Sequence, residues 1–353
     1  MFEIGQRFLQ DTSQFAMNAA DLAPDILPKL GTVRDVFRPS VGKKDMDAVS
    51  KAVFQGTLTD QRVYTDEELQ TEFGMTDKQV GLYRQFRSAT DRTLDELMAS
   101  DAARLARGKG IDDAIAAAKA NPDQAPATIA AALRANGANE ALAREIEDKA
   151  GRVEKLKNEG YAPLARFGQH TVYVVGADGE QVYFGMHESQ AEANKTARAM
   201  KEEYPDAIVT QGVLSQEAWK MFQGVSPDTL ELFADALGAT ESEVFQEYLK
   251  KVVNNRSALK RMIERKDVAG FSEDVPRVLA SFITSSARAA SKNYNMGAMT
   301  QAVEDVPKEH GDVKDEAVNL AKYLQNPQDE APLLRGLLFT HFIGGSIARR
   351  SRT

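Results

Sequence analysis

The sequence predicts a mainly α-helical protein with bundle-like helical domains and one small inserted β-β-α-β unit. Apolar residues recur at helical spacing along most of the chain, between capping residues and Gly or Pro stops. Only residues 161–215 combine short β-prone runs with a strong turn signal. We therefore expect an N-terminal arm or linker (1–40), a helical domain (41–160), the β-β-α-β unit (161–215) and a C-terminal helical domain (216–353).

The first helical domain shows helix starts and stops along its length. Residues 45–58 carry an apolar stripe at helical spacing, and Thr65 and Thr76 each open a further helix as N-cap residues. Residues 101–160 are rich in alanine, which favours helix, and are interrupted by residues that end helices. The predicted interruptions are Asn121-Pro122, Asn136-Gly137 and Gly160.

The β-β-α-β unit follows from three short segments and one cap. Thr171–Val175 and Gln181–Phe184 are rich in β-branched and aromatic residues, and Asp178-Gly179 is typical of the turn in a hairpin. Ser189, followed three residues later by a glutamate, predicts a capping box and a helix. Residues 207–210 return as a third strand. A unit of this size is too small for a large core of its own, so we expect it to pack on neighbouring helices.

The C-terminal region returns to helical patterns. Ser226-Pro227 predicts a helix start with proline in the first turn, and Thr240 with Glu243 predicts another capping box. A further helix is predicted by an apolar stripe at helical spacing. Its members are Val278, Leu279, Phe282, Ile283 and Ala287.

Composition excludes several kinds of chemistry. The 353-residue chain has a formal charge of −8, which argues against a generally basic, nucleic-acid-coating protein. It contains no cysteine, so disulfides, thiolate nucleophiles and cysteine-bound zinc or iron–sulfur sites are excluded.

The start of the sequence lacks the pattern of a secretory signal. The most apolar run, 332–348, contains Arg335 and His341 and is too short and polar for a spanning helix. The abrupt end of the chain after this run leads us to expect that the native protein continues.

No catalytic signature occurs in the sequence. Nucleophile-elbow, Walker and dinucleotide-binding motifs are all missing. His187-Glu188 begins like a zinc-protease motif, but no histidine follows at the required spacing. His170 and His187 flank the two predicted strands and can meet in space, yet no third ligand is placed to complete a metal site. We therefore predict no catalytic residue, no metal and no cofactor.

One charge feature leaves two interpretations open. Between Lys250 and Lys292 there are ten basic residues against four acidic ones. Such a face can bind the phosphates of nucleic acid or phospholipid, or it can be solvated and paired with the protein's own acidic surface. The candidate phosphate-binding residues are Lys250, Lys251, Arg256, Lys260, Arg261, Arg265 and Lys266.

The string "PLARFG" stands directly before the first predicted strand. Pro163 disfavours helix in the residue before it, Leu164 and Phe167 are apolar anchors, and Gly168 permits a turn. Arg166 can bind a carbonyl or carboxylate where the chain changes direction. We interpret this string as a structural latch between the helices and the β-β-α-β unit. If the Phe167 ring is fully buried, Phe167→Ala should cost about 3–5 kcal/mol.

The same string carries a resemblance to a known family. Pro163, Leu164, Arg166, Phe167 and Gly168 match the five fixed positions of the PLxRFG motif, which marks very large polyvalent proteins of bacteriophages and related mobile elements. Three further strings resemble segments of the same proteins. They are "AVFQGTLTDQRVYTDEEL" (52–69), "GFSEDVPRVLASFITSSAR" (270–288) and "LLRGLLFTHFIGGSIA" (333–348).

The resemblance implies a location and partners rather than a reaction. Members of this family are packaged in the phage head and delivered into the host with the genome. The resemblance therefore implies a non-enzymatic scaffold segment in the virion interior and later in the host cell. The implied partners are the remaining segments of a longer chain, other internal virion proteins and further copies of the chain, while contact with DNA, RNA or a membrane stays open. The alternative is a nucleic-acid-binding or supporting domain of a virion-packaged RNA polymerase or counter-defence factor.

Overall fold

The computed structural model describes residues 2–27, 42–137, 140–165, 167–177, 179, 181–213 and 271–304. Over these residues the fold is mainly helical with one small three-stranded antiparallel sheet, which confirms the predicted fold class. The chain divides into two compact units. Met1–Gln10 and Asn295–Thr353 form one, and Asp11–Tyr294 form the other. The contacts described below lie in the second unit.

The bounds of the helices are α1 Phe2–Ala20, α2 Lys43–Gln55, α3 Asp66–Thr71, α4 Asp77–Leu105, α5 Asp112–Ala120, α6 Ala125–Ala135, α7 Glu140–Asn158, α8 Gln190–Glu203 and α9 Val275–Glu304. Along the described chain, α1 to α7 precede the sheet, α8 lies between its second and third strands, and α9 follows it. A π-helical turn, Gly56–Asp60, continues α2. None of the described helices is long and apolar enough to cross a membrane.

The predicted helix ends are largely confirmed. Thr65 and Thr76 both form complete capping boxes at the starts of α3 and α4. Helices α5, α6 and α7 end just before Asn121, Asn136 and Gly160, as the interruptions indicated. The expected N-terminal arm or linker, residues 1–40, contains α1, a single helix of 19 residues. The predicted helices between residues 214 and 270 lie outside the described residues.

Helix α4 connects two hydrophobic cores. Its first half contributes Tyr83 and Phe86 to a core shared with α2, α3 and α9, where Leu279 is fully buried. Its second half packs on α5, α6 and α7 through a smaller core that contains Ile129 and Ile146. With 29 residues, α4 is about 43 Å long, so one rigid element spans both cores.

The sheet has the strand order β2-β1-β3, with β1 His170–Val175, β2 Gln181–His187 and β3 Ile208–Val213. All neighbouring strands are antiparallel. Helix α8, capped by Ser189, packs on one face through Ala193 and Ala197 against Val172 and Val174. This core is small, as expected for a unit of this length, and the sheet meets the helices through the residues that precede β1.

Candidate functional site: the junction of three chain segments

The segment between α7 and β1 begins with a helix stop that only glycine fits. Gly160 has a φ of +68°, and its amide donates to the Lys157 carbonyl at 3.1 Å. The next amide, of Tyr161, donates to the Leu156 carbonyl at 3.0 Å, which completes a Schellman motif. A Cβ on Gly160 would lie 2.7 Å from the carbonyl carbon of Arg62. The end of α7 therefore packs directly on the backbone that follows the π-helical turn.

That turn also binds the end of α7 through a side chain. The Thr57 hydroxyl lies 2.7 Å from the Gly160 carbonyl and 2.8 Å from the Val53 carbonyl, and the side chain is buried. The single hydroxyl proton lies between two carbonyl acceptors, and only the one at Gly160 belongs to the other segment. Residues 53–62 and the start of the 160–168 segment are thus joined by a side-chain hydrogen bond as well as by close packing.

Arg87, in the middle of α4, holds the same segment from the other side. The residue is 4% exposed, and its guanidinium donates from Nη1 to the Tyr161 carbonyl. Nη2 donates to Asp91 at 3.1 Å and lies 3.4 Å from the Lys157 carbonyl. Burial raises the pKa of the Asp91 carboxyl, and the Arg87 charge opposes this rise. Arg87 therefore binds the backbone just after α7 at Tyr161 and lies close to the last turn of the helix at Lys157.

The third segment, before and within α9, contacts the PLARFG string. The Ser272 amide donates to the Ala165 carbonyl at 2.8 Å. Ala162 is fully buried in the core that contains Val275 and Leu279 of α9. The Asp274 carboxylate accepts from the Arg277 amide at 3.2 Å, so it caps the start of α9. Residues 271–279 are thereby fixed beside residues 162–165.

Arg277 then connects α9 to the sheet. Its guanidinium carbon lies 4.2 Å from the centroid of the Phe167 ring, and its Nη2 lies 2.6 Å from a carboxylate oxygen of Glu188 at the end of β2. Gly168, with a φ of +107°, packs on the backbone of His187 and Glu188. We call the whole contact region the junction, defined by residues 53–62, Arg87, 160–168, 187–188 and 271–279.

The predicted motif residues differ in how far they are buried. Pro163 and Gly168 are buried, Leu164 and Phe167 are partly buried, and Arg166 lies outside the described residues. The Phe167 ring is not fully buried. Arg277 covers one face of the ring, and part of the residue remains exposed.

We therefore expect Phe167→Ala to cost about 1–2 kcal/mol, because only part of the ring is removed from water and one cation–π contact is lost. Urea unfolding followed by circular dichroism measures this cost. Phe86→Ala is the matched control: that ring is 1% exposed in the large core, and its loss should cost about 3–5 kcal/mol. Equal costs for the two variants would contradict the placement of Phe167.

The remaining predicted site residues divide between described and undescribed parts of the chain. The candidate phosphate-binding residues Lys250 to Lys266 all lie outside the described residues, so that site stays a prediction. His170 and His187 are direct cross-strand partners in the sheet, as their positions indicated. His170 Nδ1 lies 3.2 Å from Gln190 Oε1. Within the described ranges, no group of three or more His, Cys, Asp or Glu side chains is arranged to hold a metal ion.

A cavity of about 250 Å³ lies away from the junction, between α4, α7 and the residues before α6. Three carboxylates, Asp95, Asp123 and Glu154, line it together with apolar side chains. Burial raises the pKa of Asp95, while the Lys157 ammonium at 3.0 Å opposes this rise. Because Asp95 is paired with Lys157, it acts here as one half of a structural ion pair.

The sequence did not predict a role for three side chains that make the junction: Arg87, Thr57 and Arg277. Arg87 sits in a helix among other charged residues, so its local pattern does not distinguish it from a solvated arginine. The clearest available signal was Gly160, which was identified as a helix stop but not as a packing position.

No family model, no curated protein and no solved structure matches this chain.

Proposed function

We propose that this chain is a segment of a PLxRFG-type large polyvalent phage protein, and that it is packaged in the virion and ejected into the host with the genome. In this proposal it acts as a non-enzymatic structural and interaction scaffold. Its partners are the remaining segments of a longer chain and other internal virion proteins.

One observation carries the proposal: three of the four strings that resemble this family meet at the junction. Residues 52–69 supply Thr57 and the backbone on which Gly160 packs. Residues 163–168 supply the Ala165 carbonyl and the Phe167 ring, and residues 270–288 supply Ser272 and Arg277. Strings that are far apart in the chain but in contact in the fold form one structural unit, which supports reading them together as one resemblance.

The chemistry of the junction also favours a scaffold. The described side chains of Arg87, Thr57 and Arg277 bind carbonyls, carboxylates and an aromatic ring of the protein itself, while Arg87 Nε is buried without a hydrogen-bond partner among the described residues. These bonds fix the positions of helices and strands relative to each other. A general acid, base or nucleophile would instead need to reach a substrate in a cleft.

Mass spectrometry of purified particles tests the proposal. Particles of the phage or mobile element that encodes this chain should contain peptides from residues across its length, in the same protein band. A non-virion protein expressed in the same infection serves as the contamination control. Absence of the chain from purified particles, with capsid proteins present, would refute a virion location.

A further inference from the structure

His187 ends β2 at the point where the sheet meets the helices. Its Cα partner in β1 is His170, and its backbone carbonyl is covered by Gly168 of the PLARFG string. The following residue, Glu188, forms the ion pair with Arg277 of α9. His187 therefore lies directly beside both attachments of the sheet at the junction.

The imidazole of His187 holds a buried nitrogen that no described residue binds. Its Nε2 atom is shielded from solvent and has no hydrogen-bond partner among the described residues. An unpaired buried polar atom costs about 1–3 kcal/mol, and an unpaired buried charge costs more. A second ring proton would turn the imidazole into a cation with N–H groups on both nitrogens, and the buried Nε2–H would have nothing described to receive its hydrogen bond.

The charged and titratable groups around His187 come from three elements. His170 faces it from β1, Glu192 faces it from α8, and the adjacent Glu188 is already paired with Arg277 of α9. Burial lowers the pKa of His187; His170 lowers it further, and Glu192 opposes both effects. Glu192 lies in the first turn of α8, beside the Ser189 cap. The described surroundings therefore favour the neutral imidazole.

We propose that His187 is an acid-sensitive switch that holds the β-β-α-β unit to the helices while neutral and releases it when protonated. The bound ligand is the second ring proton of the imidazole. The part of the fold that responds is the contact of β2 with Gly168 and Arg277. The free imidazole of the unfolded chain has a pKa of about 6.5. Because the folded pKa is lower, the unfolded or released form binds more protons below that pH.

The sheet attachment is expected to become less stable as the pH falls. The stability that neutral His187 provides is fully present above about pH 6.5 and is lost as the pH falls through the lower folded pKa. Each unit between the two pKa values corresponds to about a tenfold change in the equilibrium for opening. Acid is thus expected to open the sheet attachment before it affects the core of α5, α6 and α7.

Hydrogen exchange on the full chain at about pH 7.5 and about pH 5 tests the switch, since histidine changes charge in this interval. Exchange of β1 and β2 amides is compared with that of α6 amides in the same sample, after correction for the intrinsic pH dependence. In the wild type, protection of β1 and β2 relative to α6 should fall at the lower pH. In His187→Phe, which keeps an aromatic ring and cannot be protonated, the relative protection should stay constant.

Two further measurements make the result decisive. His170→Gln removes the partly exposed neighbouring histidine. In this variant β1 and β2 should still lose protection at low pH, as in the wild type. The imidazole titration of His187, followed by NMR in the wild-type chain, should give a pKa below 6.5 and coincide with the loss of sheet protection. A His187 pKa at or above 6.5, sheet protection unchanged as His187 titrates, or equal pH dependence in the wild type and a folded His187→Phe would each overturn the switch. If His187→Phe does not fold, the wild-type titration decides alone.

Discussion

Gly168→Ala is expected to lower the free energy of unfolding by about 2–6 kcal/mol. Two independent costs add. The φ of +107° is strained for a residue with a side chain, and a Cβ there would lie inside the backbone of His187 and 2.6 Å from the Glu188 amide nitrogen. Backbone atoms cannot rotate away as a flexible side chain can, so the strand or the preceding segment must shift.

Gly179→Ala separates these two costs. Gly179, in the turn between β1 and β2, also has a positive φ, of +82°, but a Cβ there would meet nothing within 4 Å. It should therefore cost only the conformational term, about 1–2 kcal/mol. Urea unfolding of both variants gives the comparison. If Gly168→Ala costs no more than Gly179→Ala, the close packing of Gly168 on the end of β2 is wrong.

Arg87→Met is expected to cost about 3–5 kcal/mol, because it removes one partner from a buried polar network. The Tyr161 carbonyl would lose its guanidinium donor, and the half-buried Asp91 carboxylate would lose its counter-charge. Methionine retains most of the length of the arginine stem, so the effect reports the lost polar groups more than lost volume. Hydrogen exchange should also show earlier opening of the last turn of α7.

Arg84→Met is the matched control for Arg87→Met. Arg84 lies less than one turn earlier in α4, pairs with Asp66 at 2.6 Å and has a side chain that is 40% exposed. An exposed ion pair contributes about 0–1 kcal/mol, so this variant should unfold nearly like the wild type. Similar losses in the two variants would show that Arg87 is not a buried support of the junction.

Much of the secondary structure could be predicted because its signals are local. Capping threonines, Asn-Pro and Asn-Gly interruptions and the hairpin turn each act within a few residues, and the helix and strand limits follow them closely. The π-helical turn after Gln55 was not predicted. A Cβ on Gly56 would lie 2.8 Å from the Arg62 carbonyl oxygen, so the turn depends on a residue without a side chain at this position. The Thr57 hydroxyl also bonds the Gly160 carbonyl, which is 103 positions away in the chain.

The candidate site could be predicted only in part, for the same reason. The PLARFG string indicated a change of direction between helices and sheet, because proline and glycine restrict the backbone locally. Its partners lie far away in sequence, and an arginine in α4 or α9 carries no local signal that distinguishes a buried role from a solvated one. The sequence left open whether the Phe167 ring is fully buried; in the structure it is partly buried, with Arg277 over one face of the ring.

A cysteine cross-link between residues 165 and 272 tests the junction most directly. The chain has no natural cysteine, so Ala165→Cys and Ser272→Cys introduce the only two thiols. The Ser272 amide nitrogen lies 2.8 Å from the Ala165 carbonyl oxygen, so we expect thiols at these two positions to be within reach of a disulfide or a short thiol cross-linker. Our account predicts an intramolecular link in the folded double variant, absent from either single variant and lost in urea. A folded double variant that forms no more of this link than the urea-unfolded chain would contradict the junction.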